Sequence, residues 1–108
     1  MSLRTRSPAV WPDIEAELTS ILGPVESERL RRCWLRVATL LSLPADKLRA
    51  ADRIVDLPGL AGDGARVRDR IEDLEYTLGV EASRDAPTAM TLATIGDVVG
   101  AFYRYTQT

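Results

Sequence analysis

Four stretches of this 108-residue chain repeat their apolar residues every three or four positions, and no stretch of useful length alternates apolar with polar. Such spacing lays one apolar stripe along a helix, whereas a half-buried strand needs a period of two. The chain is therefore expected to fold as an all-α bundle of up to four main helices. Ile14, Leu18, Ile21 and Leu22 follow at steps of 4, 3 and 1. Pro12 suits the first turn of this segment, because the N–H it lacks would be unpaired there, and Gly23–Pro24 stop it. These signals predict a helix over 12–22. Leu30, Cys33, Trp34, Val37, Leu40 and Leu41 predict a second over about 26–42, with Arg29, Arg31, Arg32 and Arg36 on its remaining surface. Val67, Ile71, Leu74 and Leu78, at steps of 4, 3 and 4, predict a third over 64–78, closed by Gly79 in a left-handed cap. Thr94 caps a fourth over 94–105, with Asp97 in the favourable first turn and Ile95, Val98, Val99 and Phe102 buried. Trp34 and Phe102 are expected in the core, and Cys33 as a small buried hydrophobe.

The segment "SLPADKLRAADRIVDLPGLAGDG", residues 42–64, carries three glycines and two prolines and reads as a long irregular connection with one turn near Ala45–Leu48. Connections this long are uncommon inside compact domains, and both function and disorder account for them. "VEASRDAPTAMTLA", residues 80–93, reads as a second loop interrupted by Pro87, and residues 1–8 as a frayed basic tail. Length alone implies one domain, and 45% hydrophobic with 28% charged residues is ordinary for a soluble globular protein. The net charge of −2 removes any bulk electrostatic case for nucleic acid or an anionic membrane. No apolar run reaches the ~20 residues of a transmembrane helix, and the start "MSLRTRSPAVWP" lacks the apolar stretch of a secretory signal. One cysteine and no histidine make a transition-metal site improbable and exclude Ser-His-Asp and Cys-His arrangements. The same single cysteine fits a reducing cytoplasm. Asp46, Asp52 and Asp56 lack calcium-loop spacing and read as loop solubility. Neither an enzyme nor a bound cofactor or metal is expected.

The order helix, long loop, helix, short connection, helix resembles the acyl carrier protein family, and several strings agree with it. "LSLPADKLRAADRIVDL" is similar to the end of that family's first helix and its loop, with Leu43, Leu48, Ile54 and Leu57 as loop anchors. "LEYTLGVE" is similar to the close of the family's second helix, and "TIGDVVGAFYRY" to the start of its last. The resemblance spans about residues 28–105 and implies a tail over 1–11, an additional helix over 12–25 and a carrier-like domain over 26–108. It also implies a phosphopantetheine-attachment serine at the start of the third predicted helix, within Asp-Ser-Leu. At that place stands Asp63-Gly64-Ala65. Glycine offers no oxygen nucleophile, and the nearest hydroxyls, on Ser42, Thr77 and Ser83, belong to other parts of the chain. Gly62 and Gly64 permit left-handed or tight backbone around Asp63, which then serves as an N-cap. A flexible loop tip and an anion-binding helix start are the other readings of the same residues.

Charge gives a second departure. The family's second helix is acidic and docks on basic partner surfaces, whereas this one opens with Arg66, Arg68 and Arg70 ahead of Glu72 and Glu75. Cations at a helix start are mildly unfavourable, so helix formation does not explain them. A solvated face with i,i+3 and i,i+4 pairs (Arg66 with Asp69, Arg68 with Glu72) and an altered docking surface stand level as explanations. Trp11, Tyr103 and Tyr105 either seal the first helix against the body or leave a patch for self-association. The expectation from sequence is thus a carrier-like module without its serine, acting through protein contacts. Its partner would be an unidentified protein, such as a synthetase or acyltransferase, or a second copy joined through helix 12–22. A working carrier with a different attachment residue and a small regulatory subunit are the alternatives.

Overall fold

The computed structural model describes residues 5–57, 64–82 and 92–106. Its helices are α1 (Trp11–Leu22), α2 (Ser27–Leu41), α3 (Gly64–Glu81) and α4 (Ile95–Tyr105), with 3₁₀ turns at Ala45–Lys47 and Ile54–Asp56. The described residues hold two isolated β-bridges, Arg53 to Thr94 and Ala82 to Thr106, and no named strand. The helix positions follow the apolar periods to within a residue or so, except at the end of α3.

α1 starts on Val10 and Pro12 and stops where Gly23 takes φ +83°, donating its N–H to Thr19 O at 2.8 Å. That angle lies in the left-handed region, where any other residue would be strained. Ile14 and Leu18 are buried, but Ile21 is 54% exposed and leaves the expected stripe. α2 buries Leu30, Cys33, Trp34, Val37, Ala38 and Leu41 and turns off through Ser42 at φ +57°. α3 buries Leu74 and Leu78, whereas Val67 and Ile71, expected in the core, are only half-buried.

α4 is the hub. It packs on α2, α3 and α1, and Ile95, Val98, Val99 and Phe102 are fully buried as expected. Two of its glycines accept α1 closely: a β-carbon at Gly100 would lie 2.8 Å from Leu22 Cδ2, and one at Gly96 3.3 Å from Ile21 Cδ1. Trp34 and Phe102 fill the centre of the core.

The long connection after α2 is described as far as Leu57, and its anchors Leu48, Ile54 and Leu57 are buried. It feeds the open end of α4. Ile95 and Gly96 donate their N–H groups to Asp52 O at 2.9 Å and Ala50 O at 2.9 Å, while Asp97 N–H reaches Thr94 Oγ1 at 3.1 Å. Those are the donors a helix start otherwise leaves unpaired. Asp97 returns the bond to Thr94 N at 3.0 Å, completing a capping box.

Two further expectations fail. Gly79 does not close α3 in a left-handed turn; it is helical and exposed, and the helix runs on to Glu81. Its end is instead fixed by tertiary partners, Arg36 on Glu81 and Thr106 bridged to Ala82. Nor is the expected frayed tail over 1–8 loose where it is described, at residues 5–8; residues 1–4 lie outside the described residues. Arg6 grips Asp52 with both terminal nitrogens, at 2.7 and 3.1 Å, and also donates to Lys47 O at 2.9 Å. Arg49 Nη2 donates to Ser7 O at 2.7 Å and Ala9 N–H to Asp46 O at 2.8 Å. A bidentate arginine–carboxylate pair outweighs the entropy of ordering a short segment, and its two halves lie 46 residues apart in sequence.

Candidate functional site

Gly64 is the first residue of α3 and is exposed. Its φ is not in the left-handed region, so the conformational role expected for it does not hold. A β-carbon built on it meets nothing within 4 Å, so the absence of a side chain here is not a steric requirement. Asp63, expected to cap this helix, and Gly62 lie outside the described residues. Ala65 beside Gly64 is exposed. Of the hydroxyls weighed as substitutes, Ser42 caps the end of α2 and Thr77 sits more than three turns further along α3; Ser83 lies outside the described residues.

The charged residues picked out on α3 do project outward. Arg66, Arg68, Glu72 and Glu75 are exposed and Arg70 is half-buried. α3 begins with three arginines and carries its five carboxylates from Asp69 onward, so the helix is electrostatically divided along its length. That arrangement opposes the helix dipole at the start and does not stabilise the element. Tyr76 and Val80, one turn apart, are 75% and 68% exposed on the solvent side of the same helix.

Trp11 belongs elsewhere. It is half-buried at the start of α1 and donates from Nε1 to Ser27 Oγ at 3.3 Å, while Ser27 Oγ donates to Glu15. Tyr103 closes the same seam from α4, accepting the Glu26 N–H on its hydroxyl at 2.9 Å. The tryptophan is thus part of the seal between α1 and α2 and is not brought together with the α3 residues.

Sequence reasoning missed Arg29, which it left on the surface of α2. Its guanidinium lies 4.2 Å from the centroid of the Tyr103 ring and donates to Tyr103 O and, at 3.1 Å, to Thr106 O. A cation there satisfies the last carbonyls of α4 and favours its negative end. It also missed Arg6, whose pKa is raised above its ordinary value by the hydrogen bond to Asp52 and by that carboxylate's charge, against partial burial.

Among the described residues no three His, Cys, Asp or Glu side chains come together as a metal site would need. Of the three aspartates weighed for this role, Asp52 faces Arg6 while Asp46 and Asp56 are exposed. Cys33 is buried among the core residues of α2. A groove of about 190 Å³ runs between the end of α1 and α4, lined among others by Ile21, Leu22, Leu92, Gly100 and Arg104. It is smaller than the roughly 300–1,000 Å³ of typical small-molecule sites. No helix among the described residues is long and apolar enough to cross a membrane.

Comparison with protein-family models, with curated proteins and with solved structures yields no match. The case for function therefore rests on the residues themselves.

Proposed function

We propose that this chain is an acyl-carrier-protein-like domain that has no attachment serine and acts by binding another protein, in the cytoplasm, without catalysis and without a cofactor. The observation that carries the reading is Gly64, an exposed first residue of α3 surrounded by open space, where a carrier presents its nucleophile. Further support comes from the long connection whose anchors Leu48, Ile54 and Leu57 are buried, and from the Thr94–Asp97 capping box opening the last helix. In this reading the docking face is the outer side of α3, with Arg66, Arg68 and Arg70 at one end and Glu72 and Glu75 beyond them. Its reversed charge at the helix start rejects the basic surfaces that ordinary carriers meet and favours an acidic or mixed one, on a synthetase, an acyltransferase or another subunit. α1 is an added element. Ile14 and Leu18 are buried against the chain's own body, so a homodimer through this helix would have to use its opposite side.

Incubation with coenzyme A and a broad-specificity phosphopantetheinyl transferase tests the reading by intact mass. The natural protein should gain nothing, since Gly64 supplies no oxygen. Gly64→Ser should fold with an unchanged or slightly raised melting temperature, because the new side chain enters open space and the glycine's backbone freedom is removed. Its modification should be poor, since Ala65 lacks an apolar contact and the three arginines oppose the acidic surface such a transferase seeks. Modification of the natural protein would make it a working carrier and overturn the proposal.

A further inference from the structure

Tyr76 and Val80, on the outer side of α3, are the two most exposed large apolar side chains among the described residues. The helix packs on α4 and the 54–56 turn, with Leu74 and Leu78 as its buried edge. At about 100° per residue, Ala65, Asp69, Tyr76 and Val80 line the side opposite that edge. One flank of this strip carries Arg68 and then Glu75, the other Arg70 and then Asp73. Arg70 is half-buried and the other three are exposed. Each flank therefore runs from basic to acidic along the chain. The two pairs are also concentric, because the midpoint of each falls between Ile71 and Glu72. A parallel copy of such a strip would set arginine on arginine. An antiparallel copy sets arginine on carboxylate.

We infer that the chain forms a weak homodimer in which α3 pairs antiparallel with α3 of a second copy, about a two-fold axis at Ile71–Glu72. Such an axis brings each flank against the same flank of the other helix. Arg68 then faces Glu75 and Arg70 faces Asp73, each twice, at positions like those where flanking charges pair in a coiled coil. Tyr76 comes to rest between Ala65 and Asp69 of the other copy, its ring over the small methyl and its hydroxyl donating to the carboxylate. Val80 lies beside Ala65. Glu72, nearest the axis, meets its own copy, and Arg68 one turn earlier on the same side offsets part of that repulsion. The order of charge along the helix, not its sum, selects the antiparallel pairing. α3 has 18 residues and is about 27 Å long. Covering its outer two-fifths in both copies buries roughly 800–1,000 Å² in total, at the lower edge of specific interfaces, so the dimer is weak and concentration-dependent. This inference rests on the proposed function only in taking the outer side of α3 as the docking face; the missing serine plays no part in it.

The test is sedimentation equilibrium on the full chain from about 10 to 500 µM, a range that brackets the affinity of so small an interface. The natural protein should gain mass toward a dimer at low salt and lose it at high salt, where exposed charges are screened. R68E/R70E and D73R/E75R should each weaken association about tenfold or more, because each sets like charges together on both flanks. The full exchange R68E/R70E/D73R/E75R should restore the homodimer. The two double variants, mixed one to one, should form a heterodimer, so the mixture reports even if the fourfold variant does not fold. Glu72→Gln should tighten the dimer several-fold by removing the repulsion at the axis. A natural protein that stays monomeric throughout the range overturns the inference. So does association unchanged in R68E/R70E, which would assign it to another surface such as α1. A mixture that stays monomeric, or a Glu72→Gln variant that associates more weakly, overturns the antiparallel pairing. Uptake of phosphopantetheine by the natural protein would overturn the carrier-like reading and leave this dimer standing; a monomer that takes up none overturns the dimer alone.

Discussion

Gly79 and Gly96 both lie inside helices, yet they should respond oppositely to a single methyl group. A β-carbon at Gly79 meets nothing within 4 Å, and the residue is exposed. Gly79→Ala should therefore stabilise by about 0.5–1 kcal/mol, through the backbone freedom that glycine loses on folding. At Gly96 a β-carbon would stand 3.1 Å from Ala50 O, a backbone atom already held at 2.9 Å by the Gly96 N–H. The carbonyl cannot retreat without lengthening that bond, so crowding of about 1–3 kcal/mol outweighs a helix-propensity gain of about 1 kcal/mol. Each kilocalorie moves the midpoint by about 4–8 °C in a domain near this size, so thermal melts should separate the two variants in opposite directions. A fall for Gly79→Ala would put a left-handed turn back at that position.

At the scale of elements, α3 is unevenly held. Leu74 and Leu78 are buried against the core, whereas Val67 and Ile71, nearer Gly64, are half-buried. Leu74→Ala should cost about 2–5 kcal/mol by urea denaturation. Tyr76→Ala, two residues further along on the open side of the helix, should stay within about 0.5 kcal/mol. The uneven burial also sets the local dynamics. Amides in the first half of α3 should exchange with solvent faster than those around Leu78, because fewer apolar contacts break when that end opens. Equal protection along the helix would mean that its start is secured by contacts beyond its own apolar stripe. The other helices are secured differently: α4 by its capping box and the Ala50 and Asp52 carbonyls, α2 by six buried residues along one face.

At the scale of the molecule, the N-terminal segment and the α2–α3 connection form one unit laid against α4. Asp52 joins them: its carboxylate accepts from Arg6 at 2.7 and 3.1 Å and from the Arg49 N–H at 2.8 Å, while its carbonyl accepts from Ile95 N. Asp52→Ala removes the carboxylate bonds and strands partly buried donors, so it should cost about 2–3 kcal/mol. Arg6→Ala leaves Asp52 its bond to Arg49 and should cost about 1 kcal/mol less. Both numbers come from the midpoint and slope of a denaturant titration. A neutral Asp52→Ala would mean the segment before α1 contributes nothing to the stability of the body.

Much of this architecture was legible because its signals are local. The steps of three and four at Ile14–Leu18, Leu30–Leu41 and Ile95–Phe102 specify helices and their buried faces whatever lies around them. Thr94 and Asp97 likewise carry their cap in three residues. Several of the mispredictions involve partners remote in sequence. Gly79 looks like a helix stop locally, but Arg36 and Thr106, some 40 and 20-odd residues away, support two more residues of helix. Arg6 and Arg29 look like surface charge until folding brings Asp52 and the end of α4 to them. Periodicity reported that Val67 and Ile71 face inward, but how deeply they are covered depends on how far α4 and the 54–56 turn extend beneath them. Gly64 divides the same way. Its lack of a nucleophile is written in the sequence, whereas its right-handed backbone and open surroundings belong to the fold, because only packing decides which space around a residue is filled.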